Sequence, residues 1–154
     1  MTTTRKRAAT PAARTDLLDR FVSFPSRVEA AIRTAAPRPP IDGEWTPQQV
    51  VRHLIAVETV VHQARLLDVA VVDGPVWTWT EPGPWEGEPD LELDGVLARY
   101  AELRADTVAR IRALDEERWR RAGTHATYGK LDVAGLLELA TAHDDEHLQG
   151  LEAR

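Results

Sequence analysis

The run DVAGLLELATAHDDEHLQGL, residues 132–151, settles the fold class. Val133, Leu136, Leu137, Ala140, His143, His147 and Leu151 recur at steps of three and four, so they share one face of a helix, with Asp132 as its N-cap. Three more segments carry the same spacing. Leu17, Leu18, Phe21, Phe24, Val28, Ile32 and Ala35 mark a first helix, bent near Pro25 and stopped by Pro37, Pro39 and Pro40. In the second, Thr46 is the N-cap, Pro47 takes the first helical position and Gln49 completes a capping box; Val50, His53, Leu54, Val57, Val60, Val61 and Ala64 form its stripe, to about Val72. Val96, Tyr100, Leu103, Thr107, Ile111 and Leu114 mark the third. Residues 73–92, rich in Trp, Pro and Gly, are long enough to cross a bundle end to end, so helices two and three can run parallel. Only Val76 to Thr80 has strand character. The reading is all-α: a four-helix bundle with a long crossover between helices 2 and 3.

Composition bounds the rest. The chain has 154 residues, 43% of them hydrophobic, enough for one domain over 15–154 behind a flexible basic tail, 1–14. With no Cys there is no disulfide, thiolate metal site or cysteine nucleophile, so a metal must be held by His, Asp or Glu. The net charge of -6 disfavours nucleic acid as a partner. No apolar run is long enough to span a membrane, and the expected address is cytoplasmic.

The chemistry concentrates on histidines. His143 and His147 lie one turn apart on the inward face of helix four, where both imidazoles can reach one ion and an unpartnered ring is costly. His53 points inward from helix two. Three such histidines make a facial set that leaves positions open for water or substrate, a catalytic rather than a structural pattern; core histidines bonded to their neighbours are the plain alternative. The run also spells the His-x-x-Glu-His of inverted zinc peptidases, but Glu146 falls about 100° from the ligand face. His62 is expected in solvent, paired on the surface with Glu58. His125, in the second long connection, is a candidate rim residue or proton donor, or else a solvated loop histidine, and Asp144 a candidate to orient a ligand. Trp77, Trp79 and Trp85 either pack the crossover onto the bundle or form a substrate lid.

Trp45-Thr46-Pro47-Gln48-Gln49-Val50-Val51-Arg52-His53-Leu54, then Glu58, Arg121-x-x-x-His125-x-x-x-Gly129 and Ala142-His143-Asp144-x-x-His147-Leu148 resemble the motifs of the DinB/YfiT-like superfamily across residues 14–153. The resemblance implies an up-down-down-up bundle and a divalent metal (nickel, zinc or iron) on His53, His143 and His147. It also implies a reaction in which that metal activates a low-molecular-weight thiol such as mycothiol, or water, for transfer to or hydrolysis of a small electrophilic substrate. Relatives occur as monomers and homodimers. The competing class is a non-catalytic metal-binding or protein-interaction bundle with a vestigial triad, including a stress-linked binding module. Gly150 stands where relatives often carry Gln, and the last helix is expected to fray there.

Overall fold

The computed structural model describes residues 8–154. Residues 1–7 of the expected tail lie outside the described residues, and the helix starts earlier than expected. Thr10 accepts from Ala13 N as N-cap, and α1 runs Pro11–Thr34, continuing through Pro25. The second bundle helix is α2 (Pro47–Val57), a π-helical segment (Glu58–Gln63) and α3 (Ala64–Val71) end to end. Its N-terminus carries the expected box, Gln49 N to Thr46 Oγ1 at 3.2 Å and Thr46 N to Gln49 Oε1 at 2.9 Å. The third is α4 (Leu93–Arg112). The fourth is α6 (Val133–Glu152), capped by Asp132 and unbroken at Gly150, against the expected fraying. None of the described helices is long and apolar enough to cross a membrane.

Cross-helix bonds set the topology. Gln48 reaches Leu91 O, Glu58 reaches Arg104 and Gln63 reaches Thr107, so the second and third bundle helices run the same way. His53 meets His147 while His62 faces Asp144, so the second and fourth run oppositely. This is the up-down-down-up order, and residues 73–92 make the long crossover it requires.

The second connection holds more structure than the sequence pattern indicates. It contains a short helix, α5 (Glu116–Arg120), and two strands, β2 (Ala122–His125) and β3 (Gly129–Asp132); with β1 (Val76–Trp77) these form a three-stranded sheet in the order β1-β2-β3. β1 pairs parallel with β2, Trp77 opposite His125, and β2 pairs antiparallel with β3. β1 falls within Val76 to Thr80, the stretch expected to have strand character, whereas β2 and β3, of four residues each, are too short to show alternation, which is why periodicity missed them. A Cβ at Gly123 would strike the Trp77 indole, so glycine lets the crossover lie flat on β2. Trp77 is buried, with Nε1 donating to Asp68. The sheet therefore clamps the crossover four residues before Glu81.

The π-helical segment changes the register. One extra residue in a helical turn sets every following side chain back by about 100°. Val60, expected on the inward stripe, is 53% exposed, whereas His62, Arg65, Leu66 and Val69 are buried. His62 is thus in the bundle and not in solvent. Glu58 is also buried, because α2 is covered on every side: Val50 through Val57 are all buried.

Glu58 finds its partner across the core. Arg104 of α4, 1% exposed, donates to both Glu58 oxygens (3.0 and 2.9 Å), to Asp144 Oδ2 of α6 (2.9 Å), to the Tyr100 hydroxyl (3.0 Å) and to Phe21 O of α1 (2.8 Å), with the Phe21 ring 3.6 Å from the guanidinium carbon. Burial opposes the charge on Arg104, and Tyr100, Asp144 and Glu58 more than restore it. Replacing Arg104 by Met should cost about 3 to 5 kcal/mol, because two carboxylates stay behind unpaired, and should appear as a lower urea midpoint. A loss under about 1 kcal/mol would mean that Glu58 and Asp144 find other partners.

Candidate metal centre

His143 and His147 project from adjacent turns of α6, and His53 meets them from α2. His53 Nε2 lies 3.2 Å from His147 Nε2, which lies 3.2 Å from His143 Nε2. Three nitrogens bound at about 2.0 to 2.1 Å to a common ion sit roughly 3.0 to 3.4 Å apart, so the spacing suits one cation. The His53 ring is fully buried, and its Nδ1–H donates to Pro82 O at 2.7 Å, which leaves Nε2 with a bare lone pair aimed at the cluster. The Trp45 ring, tilted, centres 4.8 Å from the imidazole of His53.

A fourth group was not foreseen from sequence. Glu81 Oε1, on the crossover, lies 3.3 Å from His53 Nε2 and 3.8 Å from His143 Nε2, and the four side chains offer ligand atoms within 4.8 Å of one another. No motif marks Glu81; the adjacent Pro82, whose carbonyl holds His53, and the nearby β1 anchor bring it in.

Behind the cluster, Asp144 joins the site to the Arg104 network. Its Oδ1 is 3.7 Å from His143 Nδ1 and 3.9 Å from His62 Nε2, beyond hydrogen-bond length, and both nitrogens are buried without a hydrogen-bond partner among the described residues. Burial alone would raise the Asp144 carboxyl, yet the Arg104 guanidinium, with His143 and His62, holds it well below the usual carboxylate range. It stays an anion facing the back of the His143 imidazole. Glu58, expected at the surface with His62, pairs with Arg104 and reaches the site only through it.

The triad separates two cavities. A cleft of about 330 Å³ is lined by His143, His62, Glu81 and Glu146, by Arg65, His125, Tyr128 and Trp79, and by apolar groups that include Val61, Leu136 and Ala140. A second depression of about 390 Å³ is lined by Trp45, His147, Gly150 and Arg154. Of the three crossover tryptophans only Trp79 lines the cleft, while Trp77 is core and Trp85 lies under Arg52. His125 does line it, as a buried side chain at the end of β2.

Burial pushes the His53 pKa down, and burial together with His143 and His53 pushes that of His147 down to about 4. Both rings are therefore neutral near pH 7, the state in which imidazole binds metal.

A family model described as the DinB superfamily matches residues 35–150. The search of curated proteins gives no match. Among solved structures, YfiT from Bacillus subtilis, described as a probable metal-dependent hydrolase with an unusual four-helix bundle topology, superposes with a TM-score of 0.73 at 20% identity, over 97% of this chain and 91% of its own. TT2238, described as a four-helix bundle protein, superposes with a TM-score of 0.62 at 25% identity, over 91% of this chain and 98% of its own.

Between pH 6.5 and about 4 the unfolded chain binds a proton at residue 147 that the folded chain refuses, so stability falls as the pH drops through that window. Metal-free protein should lose on the order of 2 kcal/mol between about pH 7 and pH 4.5, and His147→Ala should flatten part of the slope. Denaturation curves of the two proteins at several pH values check this; parallel slopes would contradict a buried neutral ring.

Proposed function

The chain belongs to the DinB superfamily, and on that footing we propose that it is a metal-dependent hydrolase whose divalent ion, nickel, zinc or iron, is held by His53, His143 and His147. The observation that carries this reading is the convergence of three Nε2 atoms, with that of His147 3.2 Å from each of the other two and all within 4.8 Å of one another. Neutral imidazoles are donors these metals accept. A divalent ion there supplies Lewis acidity, lowering the pKa of a water or small thiol enough to make it a nucleophile near neutral pH.

The protein's own groups do the remainder. The Pro82 carbonyl keeps the His53 proton on Nδ1, and anionic Asp144 stands behind His143, so the ligand lone pairs stay presented to one point. Glu81 Oε1, on the cleft side of the histidines, is placed to accept the proton that the nucleophile loses. The apolar cleft wall holds the electrophile beside His143 and limits competing solvent. The description of YfiT favours water as the nucleophile. A thiol such as mycothiol, supplied as a cofactor since the chain has no Cys, would use the same position and make the enzyme a transferase.

Metal analysis of untagged protein should find about one ion per chain after supplementation, with a raised melting temperature, and His147→Ala should bring this below about 0.1. Binding that survives His147→Ala would refute the assigned ligands. Glu81→Gln should retain the ion and lose about 100-fold or more in kcat on an activated ester. Turnover that requires added thiol would reassign the class to transferase, and a metal-loaded chain inert with and without thiol would be the non-catalytic bundle.

A further inference from the structure

Among the described residues three arginines are buried: Arg52, Arg65 and Arg104. Arg104 has two carboxylates, and Arg52 donates to three backbone carbonyls, of Trp85, Gly87 and Glu88. Arg65, 9% exposed and lining the same cleft as His143, has one carbonyl, Thr78 O at 3.1 Å from Nη2, and no carboxylate among the described residues. A buried guanidinium with neither a counter-ion nor a full set of acceptors is costly to keep.

The group facing Arg65 sharpens the point. His125 Nε2 lies 3.3 Å from Arg65 Nη2. The other ring nitrogen, Nδ1, accepts from the backbone N–H groups of Thr127 (3.0 Å) and Tyr128 (3.3 Å). A nitrogen that accepts carries no proton, so the proton of the neutral ring is on Nε2. Two N–H donors therefore face each other on the cleft wall with no acceptor between them. Burial and the charge of Arg65 push the His125 pKa down, which keeps the ring neutral and a single donor at Nε2.

We propose that Arg65 and His125 form a receptor for the carboxylate of an otherwise apolar small molecule, held by one end while its other end lies against His143. Two donors match the two oxygens of a carboxylate. One net positive charge suits a monoanion, and a phosphate dianion would meet repulsion from Glu81 and Glu146 in the same cleft. The same cleft is lined by apolar Val61, Leu136 and Ala140, which suit an apolar body on the acid. In taking the bound acid to be the substrate, the inference rests on the metal-centre reading; the receptor itself needs no metal.

The test is a titration of the full chain, metal-free and zinc-loaded, with phenylacetate and phenylacetamide, followed by tryptophan fluorescence, since Trp79 lines the cleft. The acid should bind roughly tenfold more tightly than the amide in both forms, Arg65→Met should erase the difference, and Arg65→Lys should keep about a third of it. Melting curves identify folded variants, and if the Met variant is unfolded, Arg65→Lys decides. Equal affinity for acid and amide, a preference untouched in folded variants, or stronger competition by inorganic phosphate than by acetate would overturn the proposal. An acid preference dependent on Arg65 in a chain that binds no metal would sustain it while refuting the hydrolase reading. A chain that loads metal and ignores the acid would do the reverse.

Discussion

A guanidinium sealed from water is the constraint around which this bundle is organised. Arg104 touches all four long helices at once: its own α4, Phe21 O of α1, Glu58 of the second helix and Asp144 of α6. Hydrophobic packing is tolerant of small slides between helices, whereas a fork of charge-assisted bonds near 2.9 Å is not. The cluster of one cation and two anions thus fixes the rotation and height of α6 against the second helix. Because Asp144 follows His143 directly, the same restraint sets where the imidazoles point.

The charge count in that core also bears on the site. Arg104 balances one of its two carboxylates and leaves an anionic excess, and the excess faces His143 and His62. A positive ion in front of the imidazoles would be favoured by the negative charge behind them. Stability and site chemistry therefore share residues, and Asp144 takes part in both.

What could be read from the chain alone followed from local geometry. The spacing of His143 and His147, the capping box at Thr46 and the register of His53 all sit within single helical turns, and the bundle and its three-histidine cluster were legible from them. Glu58 and His62 were not, since α2 is enclosed on all sides and the π-helical segment inserts a residue that period counting does not see. The positions of Glu81 and His125 depend on a sheet of very short strands that joins segments far apart in the chain. Trp77 and Trp79, two residues apart, part company for the same reason, one buried under the sheet and the other at the cleft. Composition could not tell them apart.

The π-helical segment divides the labour of the second helix. Upstream of it the helix presents His53 to the histidine cluster; downstream it presents His62 and Arg65 to the cleft. The two halves are spliced out of phase, so each can present its own set of side chains. An alignment that pairs this helix without a gap against a relative lacking the insertion will match the His53 half correctly and shift the other by one place. Residues lining the cleft would then be compared with a neighbour's exterior, and true equivalence would be visible only by superposition.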